Sequence, residues 1–230
     1  MSSHSLSSRW LTALIPGAVG IWRPRDAAAG TNLVEPEMPA SELFLLASGE
    51  VRCYQPCDDE DRLVEVLGRG DLLNVAVLAG SAQGGIRAVA ITAVTFHSIT
   101  AGQLHDWLRE NPAAAVEIIR HVAARLQTAQ EESAALAYDT CQGRLLRVLR
   151  RYSDSPAATR TDNRIVLRFT HQQLAQAVGS SRETVSLCLS KLRRRDLLRT
   201  ERKQLSFDLR ALEQFERHWR NKIKSPAEKA

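Results

Sequence analysis

The chain has 230 residues, 44% hydrophobic and 25% charged, enough for two ordinary domains with the balance of a soluble globular protein. Its net charge of +5 hides a split: residues 1–139 carry 10 Lys/Arg against 17 Asp/Glu, net −7, and residues 140–230 carry 21 against 9, net +12. The basic half predicts a phosphate-bearing partner. Excluded are a membrane span, which needs roughly 18 apolar residues, a secretory signal in the interrupted N-terminal stretch, and a disulfide scaffold from four scattered cysteines; a cytoplasmic protein with reduced thiols and no membrane partner is expected.

Residues 30–100 hold short apolar alternations broken by glycine, with LFLLASGEVRCYQ, RLVEVLGRGDLL and RAVAITAVTFHSIT as the clearest strands. Hairpins joined at SGE, PCDDED and GRGD predict a β-roll or jelly roll. The acidic turn Asp58-Asp59-Glu60-Asp61 reads as a solvated hairpin tip, since a cation site would need converging oxygen ligands.

From residue 101 the period becomes helical. A short helix over residues 102–109 precedes a long one that starts at Pro112 and runs to residue 138. On the long helix Ile119, Val122, Leu126, Ala129, Ser133 and Leu136 recur in three- and four-residue steps, an a/d-like stripe of about three heptads. This stripe is read as a homodimer seam; the alternative is that it packs on its own β-domain.

The basic half opens with TCQGRLLRVLRRY, an amphipathic helix with Leu145, Leu146 and Leu149 inward, followed by a polar loop SDSPAATRTDN. IVLRF and LLRTERKQLSFDL are strand-like, the latter turning at Glu201-Arg202-Lys203, and a last helix over residues 209–222 packs Leu212, Phe215 and Trp219 before a frayed SPAEKA tail.

Between those strands lies FTHQQLAQAVGSSRETVSLCLSKL, residues 169–192. Leu174, Ala175 and Val178 mark one helix face, Gly179 permits the reversal, and Ser180 or Ser181 caps a second helix. That helix buries Val185, Leu189 and Leu192 and turns Ser181, Arg182, Glu183 and Ser186 outward. Arg makes paired hydrogen bonds to guanine and Glu accepts from the cytosine amine, so the adjacent Arg182 and Glu183 read neighbouring base pairs. The DNA face is completed by Thr170, His171, Ser180, Lys191 and the phosphate-seeking Lys203. Together the segments predict an α+β protein: a β-roll sensor domain over residues 1–111, a dimerisation helix over 112–138 and a winged helix-turn-helix domain over 139–230.

The chain resembles the CRP/FNR family of bacterial transcription regulators over residues 30–219. The resemblance rests on Thr170-His171-Gln172-Gln173-Leu174-Ala175, Val178-Gly179 and Ser181-Arg182-Glu183-Thr184-Val185-Ser186, and in the β-domain on Leu43-Phe44-Leu45-Leu46 with Gly49-Glu50-Val51 and on Gly68, Gly70, Asp71, Leu72 and Leu73. It implies a homodimer that binds a near-palindromic site on double-stranded DNA and contacts RNA polymerase; an activator is expected rather than a repressor. Arg182 and Glu183 match the family's base-reading positions, with Thr170, Ser181 and Ser186 near phosphates or neighbouring bases.

Departures are equally specific. Leu187 stands one turn beyond Glu183, where many members have arginine, so the outer base pair is read less strictly or through a thymine methyl. In members that bind cyclic AMP, Gly-Glu and Arg-Ser pairs hold the ribose and phosphate; here the stretches read Leu72-Leu73-Asn74-Val75 and Gln83-Gly84-Gly85-Ile86. No cyclic-AMP dependence and no cofactor is expected, and Arg87 is read as a strand-edge arginine.

The alternative is a sensor gated by a small effector or by haem, with His97, His105 and His121 as the histidines to test. Cys53 and Cys57 alone do not make an iron–sulfur site, and a cupin-like metalloenzyme lacks both its clustered ligands and a nucleophile–base pair. Cys188 lies on the reading helix among Arg182, Lys191 and Arg193, which predicts a lowered thiol pKa and DNA binding that oxidation weakens; the bland alternative is a small buried hydrophobe.

Overall fold

The computed structural model describes residues 21–57, 61–80, 85–161, 164–201 and 203–224. The expectations for the N-terminal stretch, the acidic turn residues 58–60, Gln83, Gly84, Arg202 and the SPAEKA tail fall outside them. The chain divides into two compact units, Met1–Glu132 and Ser133–Ala230.

The first unit contains β1 (Arg23–Ala27), β2 (Asn32–Val34), β3 (Glu42–Ser48), β4 (Val51–Gln55), β5 (Arg62–Leu67), β6 (Leu72–Leu73), a 3-10 turn (Val75–Ala79), β7 (Arg87–Ala90) and β8 (Val94–Thr100). They form two antiparallel four-stranded sheets, ordered β1-β8-β3-β6 and β2-β7-β4-β5. Because side chains alternate across a strand, the LFLL run of β3 is apolar on both faces. Phe44 and Leu46 join Val51, Cys53, Leu73 and Phe96 in a core shared by the two sheets, while Leu43 and Leu45 face Ile99, Leu104, Trp107 and Ile118. This is the jelly-roll architecture, α+β in the whole chain.

The SGE turn requires glycine. Gly49 has φ of +91°, and a Cβ there would lie 2.5 Å from the Ala93 carbonyl oxygen.

Helix α1 (Ala101–Glu110) begins in a capping box between Thr100 and Gln103. Helix α2 runs Pro112–Tyr138, its proline placed where a missing N–H costs nothing. Arg125 ties α2 to the sheets, donating to the Leu72 carbonyl at 2.8 Å and pairing with Glu65.

In the second unit α3 (Cys141–Tyr152) is followed by β9 (Ala158–Thr161), β10 (Arg164–Leu167), α4 (His171–Val178), α5 (Arg182–Arg193), β11 (Leu198–Glu201), β12 (Gln204–Phe207) and α6 (Leu209–Lys224). The strands pair in the order β11-β12-β10-β9. Leu145, Leu146 and Leu149 of α3 are buried with Leu174, Leu189, Leu205 and Phe207, and Tyr152 stacks on Phe169 at 4.7 Å. Strand β9 corrects the reading of SDSPAATRTDN as loop throughout: its residues are mostly exposed, so the alternation that marks a half-buried strand is missing.

Candidate nucleic-acid interface

The helix-turn-helix is held by local bonds that the residue types dictate. Thr170 caps α4, accepting from the Gln173 N–H at 3.1 Å while the Gln173 side chain accepts from the Thr170 N–H at 3.0 Å. Gly179 ends α4 with φ of 65° and donates to the Ala175 and Gln176 carbonyls. Of the two serines, Ser181 is the cap of α5, accepting from the Thr184 N–H at 3.2 Å. Ser180 instead spans the turn through its backbone, donating to the Ala175 carbonyl at 3.1 Å.

Two outside groups brace this turn, and sequence reasoning missed both. Arg144 of α3 donates to the Val178 carbonyl at 2.8 Å and to the Gly179 carbonyl at 3.2 Å, satisfying acceptors that the end of α4 leaves open. Asp139 accepts from Arg147 at 3.1 Å and from Arg220 at 3.2 Å, and its own carbonyl accepts from Arg144 at 2.9 Å. An arginine in a basic amphipathic helix carries no local mark of such a role.

Helix α5 seats its inner face through Val185, Leu189 and Leu192, all essentially without solvent contact. Burial of each contributes about 1.5–3 kcal/mol, which fixes the outer face. Arg182, Glu183 and Thr184 are exposed at its start, as is Lys191 further on. Among the described residues neither Arg182 nor Glu183 enters an ion pair or a side-chain hydrogen bond with the protein. Ser186 is half-buried, its hydroxyl 2.9 Å from His171 Nδ1, so these two are joined to each other across α4 and α5. Leu187 is 65% exposed on the same helix.

The hairpin tip between β11 and β12 carries Lys203, exposed and with φ of 60°. Thr170, His171, Arg182 and Lys203 line one shallow cleft of about 190 Å³ with Gln172, Glu201 and Gln204. Residues separated by more than thirty positions are thereby brought around one opening at the start of both helices.

Cys188 departs from its expectation. It lies on the inner face of α5, 7% exposed, with its sulfur 3.9 Å from that of Cys141. Burial, and after it the neighbouring Cys141, push its thiol up to about 11; Lys191 pulls the other way and is outweighed. The basic neighbours in sequence therefore do not lower its pKa.

In the first unit Ile119, Val122, Leu126 and Ala129 of α2 are exposed, and in the second Ser133 and Leu136 are exposed. Arg87 is engaged, paired with Asp61 and with its guanidinium 5.2 Å from the centroid of the Tyr54 ring. Asn74 donates to the Glu42 carbonyl at 2.8 Å. Cys53 is fully buried, its thiol pushed far up by desolvation, whereas Cys57 is exposed. His97, His105 and His121 lie on β8, α1 and α2. Among the described residues no three His, Cys, Asp or Glu side chains gather as a metal site, and no helix is long and apolar enough to cross a membrane.

Residues 143–215 match the Crp-like helix-turn-helix domain, and residues 24–111 match the cyclic nucleotide-binding domain. The chain belongs to the CRP/FNR family. It is 25% identical over 188 residues to a CRP-like cAMP-activated global transcriptional regulator of Mycobacterium tuberculosis, covering 80% of this chain and 83% of that protein. It is 27% identical over 182 residues to the probable transcriptional regulator flp of Lacticaseibacillus casei, covering 79% and 81%. The fold matches that of the c-di-GMP responsive global regulator CLP of Xanthomonas campestris with a TM-score of 0.75 at 23% identity, over 85% of this chain and 98% of that one. This CRP/FNR member is accordingly a DNA-binding transcription regulator and not an enzyme.

Proposed function

We propose that the protein acts in the cytoplasm as a homodimer on a near-palindromic promoter site, as an activator that contacts RNA polymerase, without need of cyclic AMP. The observation that carries this reading is the start of α5, where Arg182 and Glu183 stand exposed on a helix whose opposite face is fully seated. A guanidinium and a carboxylate at the N-terminal end of such a helix address guanine and cytosine in the major groove. Thr170, Ser180, Ser181, Lys191 and Lys203 face phosphates, and the pair His171 and Ser186 supports the reading surface from beneath. Leu187 offers an apolar surface to a thymine methyl at the outer base pair.

Dimerisation is supported by the exposed apolar side chains of α2. Ile119 is 66% and Leu126 59% exposed, values that an isolated soluble helix face does not favour. Two-fold pairing would set two recognition helices about 34 Å apart, one helical turn of DNA. Independence from cyclic AMP is supported by Leu72, Leu73 and Asn74, which are buried and offer no carboxylate to a ribose.

A second reading, activation by another small effector in the β-domain, is favoured by the match of residues 24–111 to the cyclic nucleotide-binding domain. One experiment addresses both. Purified, ligand-free protein is incubated with a random duplex pool, and bound sequences are recovered and sequenced. Recovery of a two-fold-symmetric motif without added effector supports the first reading; recovery only after adding a nucleotide or haem supports the second, and no motif under any condition refutes both.

A further inference from the structure

Two thiols meet between α3 and α5. Cys141 occupies the first turn of α3, capped by Thr140, and is half-exposed; Cys188 occupies the inner face of α5 and is buried. Their sulfurs lie 3.9 Å apart although 47 positions separate them in the chain. Disulfide bonding requires about 2.0 Å, so the pair is in contact but not joined, and closing it brings the two sulfurs about 2 Å nearer.

We propose that Cys141 and Cys188 form a dithiol site for hydroperoxides that closes to a disulfide linking α3 to α5, and that the closed form holds the recognition helix out of its DNA-binding position. The effect on DNA rests on the reading face proposed above; the cross-link does not.

Chemically the site needs one two-electron oxidant. Solvent reaches Cys141, whose thiolate attacks the peroxide oxygen: an S–O bond forms, the O–O bond breaks, and the departing alkoxide or hydroxide takes up a proton. Cys188, as thiolate, then attacks the Cys141 sulfur, forming S–S and breaking S–O, and hydroxide leaves as water. Two thiols and one hydroperoxide become one disulfide, one alcohol or water, and one water. Burial holds the Cys188 thiol up to about 11, which leaves little of it as thiolate at neutral pH and suits it to the resolving step, so closure quickens as pH rises.

The position of the link determines its consequence. Cys141 is one turn before Arg144, the residue that donates to the Val178 and Gly179 carbonyls of the turn. Cys188 is six residues beyond Arg182, about 9 Å along the helix. The proposed link would act on α3 and on the middle of α5, beside the bonds that orient α5, and base-reading hydrogen bonds tolerate only a few tenths of an ångström.

The test uses the full chain, reduced and then treated with hydrogen peroxide, followed by peptide mapping and by fluorescence anisotropy on a duplex recovered from the random pool. Wild type and Cys57→Ser are expected to yield a linked Cys141–Cys188 peptide and to lose about tenfold in affinity, a size usual for coupled sites, regained with dithiothreitol. Cys141→Ser and Cys188→Ala are expected to keep their affinity through the treatment. Absence of the linked peptide overturns the site. Its presence with unchanged affinity, or full oxidative loss in Cys141→Ser, overturns the control of DNA binding. Should the chain bind no duplex at all, the peptide map still decides the cross-link, while the loss falls on the proposed function.

Discussion

Arg144 and Val178 are joined by a hydrogen bond of 2.8 Å between the guanidinium of one helix and the last helical carbonyl of another. The same guanidinium reaches the Gly179 carbonyl at 3.2 Å, so one side chain closes acceptors at the turn that sets the angle of α5. Arg144→Ala is expected to lower unfolding free energy by about 1–3 kcal/mol, the usual cost of breaking hydrogen bonds to a charged donor. Urea denaturation followed by circular dichroism checks the stability, and DNA affinity should fall with it.

Gly179→Ala tests the turn itself. The residue has φ of +65°, and a Cβ would sit 2.7 Å from Leu136 Cδ2. A left-handed alanine costs about 1 kcal/mol or more, and the crowding adds to it. The midpoint in urea should drop, with the m-value unchanged.

Arg182→Ala and Lys203→Ala should fail in different ways. The first is expected to cost about 1–3 kcal/mol and to relax one base position; the second should weaken all duplexes alike and reduce the salt slope by about one unit. Competition binding against single-base variants at several salt concentrations separates them. Equal behaviour would place the reading face elsewhere.

Leu126→Glu puts a carboxylate on a stripe that is exposed in the single chain. It should leave the monomer folded and abolish the dimer. Light scattering after size exclusion is expected to give half the wild-type mass, with DNA affinity reduced to that of one half-site.

The alkaline limb of stability carries the signature of Cys188. Its folded pKa is about 11 against an ordinary 9.0, so the folded state holds the proton more firmly. That contribution is fully present below 9.0 and disappears as pH climbs to about 11. Relative to Cys188→Ala, the wild type should lose stability across this window, measured by urea unfolding at stepped pH. A constant difference would contradict the burial of that thiol.

Much of the candidate interface's local structure was legible in the sequence because its signals are local. The spacing of Val185, Leu189 and Leu192, the glycine between two helices and the Ser181 cap act within a turn or two, where backbone sterics and side-chain periodicity decide the outcome. Strands β1 and β9 left no such mark. Each is a largely exposed sheet edge, and what defines it is backbone pairing with β8 or β10, which leaves no apolar alternation in the sequence.

From the sequence alone came the two-part order of the chain, the basic half and the adjacent Arg182 and Glu183 at the start of a helix, since composition and short-range pattern determine these. Tertiary structure alone decided which arginine braces the turn, that Ser186 meets His171, and that Cys188 answers to burial rather than to its charged neighbours in sequence. The reason is distance along the chain: desolvation and contact depend on what packs in space, and Cys141 meets Cys188 only because α3 crosses the inner face of α5.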